Sequence, residues 1–168
     1  MFTGKVNIME TSKADLENVM NLWNDGTVMY YVGFPDGIKI TLDKLYKWLE
    51  WVIQKPKRCH YSIYADGIGY CGETFYNIDE EHDLAFMDIK LLPIAQGKGI
   101  AKIALSYALD KAFNEGHAKY ACVDPHPDNK AAWSLYDRLG FRIKSRPKYL
   151  DEGPTYLEIT MEEWSQRP

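Results

Sequence analysis

Leu91-Leu92-Pro93-Ile94-Ala95-Gln96-Gly97-Lys98-Gly99-Ile100-Ala101-Lys102-Ile103-Ala104-Leu105 carries three signals in succession. An extended apolar run ends at Pro93. A turn with two glycines follows. Then Ile100, Ile103, Ala104, Tyr107 and Ala108 recur at the spacing of one helix face. A strand therefore feeds a glycine turn that opens a helix. The first N–H groups of a helix have no intrahelical partner, and the helix dipole adds positive potential there. The turn is thus suited to an anion, above all a phosphate or pyrophosphate. A side chain at Gly97 or Gly99 would hold such an anion away from the amides.

Two common phosphate motifs do not fit. A Walker A loop requires Gly-x-x-x-x-Gly-Lys-Ser/Thr, and a Rossmann fingerprint requires a third glycine after the first strand. The segment Gly97-Lys98-Gly99 has neither feature and lies past mid-chain. Its 168 residues favour one domain over positions 1–168, and 46% hydrophobic residues is a globular composition. A net charge of −4 argues against nonspecific nucleic-acid binding, so cations for an anionic ligand must be concentrated locally. Lys98, Lys102 and Lys130 fall near the loop or at a later helix start. Cys59, Cys71 and Cys122 are odd in number and sit in apolar runs, as buried reduced thiols do. No apolar run reaches ~18 residues and no secretory leader is visible, so the expectation is a cytoplasmic protein without a membrane partner.

Val6 to Met9 is a short strand. Thr11, Ser12 and Asp15 offer cap chemistry for a helix with Leu16, Val19, Met20 and Trp23 inward, stopped at Asn24-Asp25-Gly26. After an aromatic stretch from Val28 to Phe34, Thr41 caps a second helix with Leu42, Leu45, Leu49, Val52 and Ile53 on one stripe. Cys59 to Ala65, Ile68 to Ile78 and Leu84 to Leu92 read as strands joined by tight turns. The glycine loop and its helix lead to a strand at Lys119 to Val123. Asp128 or Asn129 then caps a helix carrying Ala132, Leu135, Tyr136 and Leu139. Phe141 to Ser145 and Tyr156 to Met161 form a terminal hairpin. This order predicts an α+β fold: a mixed, mostly antiparallel sheet of about seven strands, one parallel βαβ crossover and flanking helices.

The segment Gln96-x-x-Gly99-x-Ala101 after a strand resembles the acyl-CoA pyrophosphate loop of the GNAT superfamily of N-acetyltransferases, whose pattern is Gln/Arg-x-x-Gly-x-Gly/Ala. The element order matches that fold over nearly the whole chain. The resemblance implies acetyl-CoA as donor, held by Gln96, Gly97, Lys98, Gly99, Ile100 and Ala101. Ala101 stands where Gly is commoner, and Gln96 replaces the commoner Arg. A second match is Asn129-x-x-Ala132-x-x-Leu135-Tyr136-x-x-x-Gly140-Phe141. In the family the matching Asn and Tyr face the CoA thiol. Tyr136 lies seven residues after Asn129, on nearly the same helical face, and also fits a core position.

Met87-Asp88-Ile89-Lys90 and Val123-Asp124-Pro125-His126-Pro127-Asp128-Asn129 look like aminoglycoside 6′-N-acetyltransferases. Leu22-Trp23-Asn24 to Tyr31-Val32-Gly33 resembles ribosomal-protein N-terminal acetyltransferases. The resemblance therefore implies an amine acceptor, with a small cationic amine such as an aminoglycoside or polyamine in first place. A protein N-terminus is the alternative, and a non-catalytic CoA-binding module is a third. A homodimer is compatible with the sequence.

A protonated alkylamine, with an ordinary value near ~10, must lose a proton before it attacks a thioester. Asp88, Glu73 and Asp83 are the candidate bases, acting directly or through water. Asp88 and Glu73 equally fit the solvent face of a half-exposed strand. Backbone N–H groups from Ile89 to Leu91 are placed to hold the thioester oxygen. Tyr136 is the group for the leaving sulfur; ordinary values of ~10 and ~8.5 make full proton transfer uphill by roughly two kcal/mol. Asp124 is the second acid for the acceptor. Tyr31 and Trp48, with Tyr30, Phe34 and Trp51, are candidates for an aromatic wall over the acceptor. His126 fits a surface turn better than a base. His60, His82 and His117 lack metal-ligand spacing, so no metal is assigned.

Overall fold

The computed structural model describes residues 2–167. Ser12 and Asp15 form a capping box that starts a 3-10 turn, Lys13–Asp15, leading directly into α1, Leu16–Asn24. Asp25 ends α1 and caps α2, Gly26–Met29, by accepting from the N–H groups of Thr27 and Val28. A 3-10 turn at Tyr30–Val32 completes the aromatic stretch. Helix α3 spans Leu42–Ile53. Helices α1 and α3 pack on one face of the sheet, burying Leu16, Val19, Leu45 and Leu49 between them.

Strands β1 Val6–Glu10, β2 Arg58–Ala65, β3 Gly69–Asp79 and β4 Leu84–Leu91 pair antiparallel in sequence order. Helix α4, Ile100–Asn114, crosses the opposite face, so β5, Tyr120–Val123, lies parallel to β4. After α5, Lys130–Leu139, the short β6 Arg142–Ile143 and β7 Leu157–Thr160 complete the sheet order β1-β2-β3-β4-β5-β7-β6. Seven strands, one parallel pair and flanking helices are the architecture expected from the sequence. The main core lies under α4, with Leu105, Leu109 and Phe113 against Tyr61, Tyr76 and Met87. Each such fully buried side chain contributes about 1.5–3 kcal/mol. Among the described residues, no helix is long and apolar enough to cross a membrane.

Four local expectations are corrected. Ile103 is exposed, whereas Leu105 and Leu109 are fully buried, because α4 packs against both the sheet and α5 and its buried arc turns accordingly. Ile53, the last residue of α3, is 69% exposed, because its neighbour Val52 takes the inward position of that turn. Thr41 makes no side-chain cap bond; α3 starts through the Leu45 N–H to Thr41 carbonyl bond alone. Met161 begins a helix, α6 Met161–Ser165, instead of ending a strand. Thr160 and Glu163 form a capping box there, a signal visible in Thr160-x-x-Glu163. All three cysteines are free thiols, with Cys71 and Cys122 buried and Cys59 half-buried.

Candidate active site

The connection from β4 to α4 begins with a 3-10 turn, Pro93–Ala95, and then turns through Gly97 (φ 71°) and Gly99 (φ 85°). A Cβ at either glycine meets no protein atom within 4 Å, so both face open space and the left-handed backbone alone demands glycine. Among the described residues, the N–H groups of Gly97, Lys98, Gly99, Ile100, Ala101 and Lys102 donate to no backbone carbonyl; the first helical bond runs from Ile103 to Gly99. Six consecutive donors with open space before two of the glycines form a cradle that fits a pyrophosphate. The Gln96 side chain turns inward instead and donates to the Leu91 carbonyl, which ties the loop to the end of β4. Lys98 in the loop, Lys102 in the first turn of α4 and Lys130 at the start of α5 are exposed.

Strands β4 and β5 pair only from Leu84↔Tyr120 to Phe86↔Cys122, although β4 runs on to Leu91. Beyond Phe86 they splay. The Asp88 carbonyl accepts from the Thr74 hydroxyl on β3. Backbone polar groups alternate sides along a strand, so Ile89 and Leu91 direct theirs toward the splay. Gln96 occupies the Leu91 carbonyl, which leaves the Ile89 groups facing the gap.

Register places Ser62, Glu73 and Lys90 opposite one another across β2, β3 and β4, with His60, Phe75 and Asp88 two residues along on the same face. Gly72 makes this register possible. Its φ is 146°, and a Cβ there would stand 2.0 Å from the Lys90 carbonyl oxygen.

Glu73 is buried. It accepts from Trp23 Nε1 on α1 at 2.7 Å, and it lies 3.0 Å from His60 Nε2 and 3.4 Å from Lys90 Nζ. Burial opposes its ionisation, but His60 and Lys90 outweigh it and bring the carboxyl down to about 2. Behind it, His60 Nδ1 and the Thr11 hydroxyl are 2.7 Å apart, and Thr11 in turn contacts the Ser62 hydroxyl. Lys90 bridges forward to Asp88 with a side chain only 10% exposed. Its own burial is overcome by the two carboxylates, which raise it above the ordinary lysine range. Asp88 is the end of this chain that meets solvent, with its side chain 47% exposed.

Tyr136 on α5 is buried in the core on the α4 face. Burial first, then the charges of Asp88 and Asp124, push its hydroxyl well above the ordinary tyrosine range, so it stays a proton donor. Asp124 follows β5 at the mouth of a pocket lined by Phe86, Cys122, Arg146, Leu150 and Tyr156. Enclosure there raises its carboxyl, opposed by Arg146 at 3.7 Å. Arg146 also holds the β6–β7 connection by donating to the carbonyls of Asp151 and Thr155.

The fold thus brings Asp88, Asp124, Tyr136 and the glycine loop to one splay. Other expected site residues lie elsewhere or serve the scaffold. Asp83 precedes β4 at the end away from the loop and pairs with Lys119 at 2.6 Å. Asn129 accepts from the Ala132 N–H as the α5 cap, which spends its carbonyl and leaves its amide NH2. Trp48 packs edge-on to Trp23 and His60, behind Glu73. Trp51 sits under the Arg58 guanidinium, 3.1 Å from its ring centroid, outside any shared wall. Tyr31 is exposed, with its ring 5.4 Å from that of His126. Lys90, His60 and Trp23 were not singled out for the site from sequence. Their signal is alternation: charges at every second position of a strand whose neighbours are apolar must find partners across the sheet.

A family model described as an acetyltransferase (GNAT) domain matches residues 5–142. Among solved structures, the spermidine N-acetyltransferase from Vibrio cholerae in complex with CoA and spermine is similar in fold. It has a TM-score of 0.81 at 20% identity, covering 96% of this chain and 98% of that one. An acetyltransferase of the GNAT family from Streptococcus pneumoniae gives 0.76 at 18% identity, covering 94% and 100%. A domain from Methanocaldococcus jannaschii gives 0.75 at 18% identity, covering 94% and 99%. No curated protein matches the sequence.

Proposed function

Because the chain belongs to the GNAT family of acetyl-CoA-dependent N-acetyltransferases, we propose that its acceptor is a small cationic amine and that Asp88 receives the amine proton. The observation that carries this is the placement of two solvent-reaching carboxylates, Asp88 and Asp124, on either side of the β4–β5 splay, both near enough to raise the Tyr136 hydroxyl by their charge. Two acids at one opening favour an ammonium-bearing ligand. The spermidine acetyltransferase from Vibrio cholerae shares the fold, which is consistent with such an acceptor.

Acetyl-CoA supplies the acetyl group as a thioester. The amides of Gly97 to Ala101 hold its pyrophosphate, and the Asn129 amide NH2 and the Ile89 and Leu91 N–H groups are the remaining donors. Asp88 takes the proton that the acceptor ammonium must shed. As the amine nitrogen bonds the acetyl carbon, the carbon–sulfur bond breaks. Tyr136, still protonated, donates to the sulfur as it gains charge, an interaction worth more in the transition state than in the ground state. Glu73 is a poor base: it is buried, held by three partners and ionised down to about pH 2. Asp124 anchors a second ammonium or a hydroxyl farther out.

The test is thiol release from acetyl-CoA with spermidine, kanamycin and a short peptide with a free N-terminus. Turnover with spermidine or kanamycin is the expected result. Turnover with the peptide alone would replace this reading by N-terminal acetylation, and tight CoA binding without turnover would favour the non-catalytic module.

A further inference from the structure

The chain His60–Glu73–Lys90–Asp88 crosses three strands and opens to solvent only at Asp88. Asp88 is already paired, with an ammonium that cannot leave. Lys90 is 10% exposed, and Glu73 holds it from behind at 3.4 Å. Glu73 is itself fixed by the Trp23 indole and by His60, and Trp48 closes over His60.

We propose that Lys90 is a positioning residue for acetyl transfer: anchored by Glu73, it holds the Asp88 carboxylate at the splay and competes with the acceptor ammonium for it. The inference rests on the assignment of Asp88 made above. Such competition has a chemical consequence. An uncontested ion pair with a carboxylate stabilises an ammonium in its protonated form and so lowers the fraction of neutral amine able to attack a thioester. The titratable and charged groups around Asp88 are Lys90 on β4, Glu73 on β3 with His60 on β2 behind it, Tyr136 on α5, and Asp124 after β5, which Arg146 of the β6–β7 connection holds. Of these, only Lys90 neutralises Asp88 by direct contact. With Lys90 present, the acceptor meets a carboxylate whose charge is already offset, so the neutral amine forms at lower pH. The proton released by the amine passes to Asp88 and on to solvent.

Removing Lys90 therefore strengthens acceptor binding and slows turnover, a split that general loss of structure does not produce. Lys90→Met is compared with wild type using whichever of spermidine, kanamycin or the peptide gives the highest thiol release, over pH 6–10. The KM for the amine falls, kcat near pH 7 falls about tenfold, and the rising limb of kcat moves up by about one pH unit. Lys90→Arg keeps the charge and restores the wild-type limb. If Lys90→Met does not fold, the double variant Lys90→Met/Glu73→Gln removes the buried pair together and leaves Asp88 equally unpartnered, with the same expected split. A raised KM, or a lowered kcat on an unmoved limb, overturns the role of Lys90. Asp88→Asn separates the two claims. Full kcat in that variant overturns the assignment of Asp88 itself, whereas loss of kcat there with an unmoved limb in Lys90→Met overturns only the competition.

Discussion

The loop and helix start from Gly97 to Lys102 offer positive potential through main-chain N–H groups of one continuous segment. The acids at the splay are side chains from different elements, held by partners on α1, β2, β3 and β4. The loop is built by local backbone conformation, and its glycines have empty space before them. The acid cluster is built by register, and a Cβ at Gly72 would collide with the Lys90 carbonyl. A site of the first kind tolerates the rest of the fold varying around it. A site of the second kind is inseparable from the core, since the groups that hold Asp88 also hold strands together. The cofactor end and the acceptor end should therefore fail differently when mutated.

The largest effect is expected at the acceptor end. Asp88→Asn removes the proton acceptor and should lower kcat by ~10²–10⁴ with CoA affinity unchanged. Asp124→Asn should mainly raise the KM for the amine, because it removes a binding contact and not a chemical one. Steady-state kinetics with the best amine of the panel checks both. Full kcat in Asp88→Asn together with its loss in Asp124→Asn would reverse the assignment.

Glu73→Gln sharpens the comparison through stability. It leaves His60 without its carboxylate and Lys90 with Asp88 alone, and should cost about 3 kcal/mol at pH 7, seen by denaturant melts. The sign of the pH dependence follows from the depressed carboxyl. The Glu73 contribution is complete above the ordinary glutamate value near ~4.3 and is lost as pH falls toward about 2. Wild-type stability should thus drop more steeply than that of Glu73→Gln between those limits. Parallel curves would show that the ion pairs around Glu73 add nothing.

The smallest effect belongs to the loop. Gly99→Val meets no protein atom, so the fold persists with a left-handed strain of ~1–2 kcal/mol. Its side chain stands in the space before the amides and should weaken CoA binding about tenfold, on the order of 1.4 kcal/mol, by calorimetry. Unchanged affinity in the folded variant would remove the pyrophosphate from this loop.

The strand–glycine turn–helix unit was legible in residues 91–105 because each of its parts is a local property: an apolar run, two positions needing positive φ, and a 3.6-residue period. The order of strands and helices around it gave the sheet, whereas helical spacing put Tyr136 and Asn129 on nearly one face of a helix without distinguishing a site position from a core one. Periodicity failed where an element touches two neighbours, as at Ile103 and Leu105 on α4, since a single-stripe pattern cannot report a second contact. It failed also at Glu73, whose charge suggested either chemistry or a solvent face. The carboxylate is neither exposed nor free, because β2 and β4 bring His60 and Lys90 to it from 13 and 17 residues away. By itself the sequence determined the fold class and the glycine turn with its unpaired backbone N–H groups, both of which follow from short-range backbone preferences. Only the tertiary structure decided which acids are exposed and which are held in ion pairs, because exposure and pairing depend on strand register between segments distant along the chain.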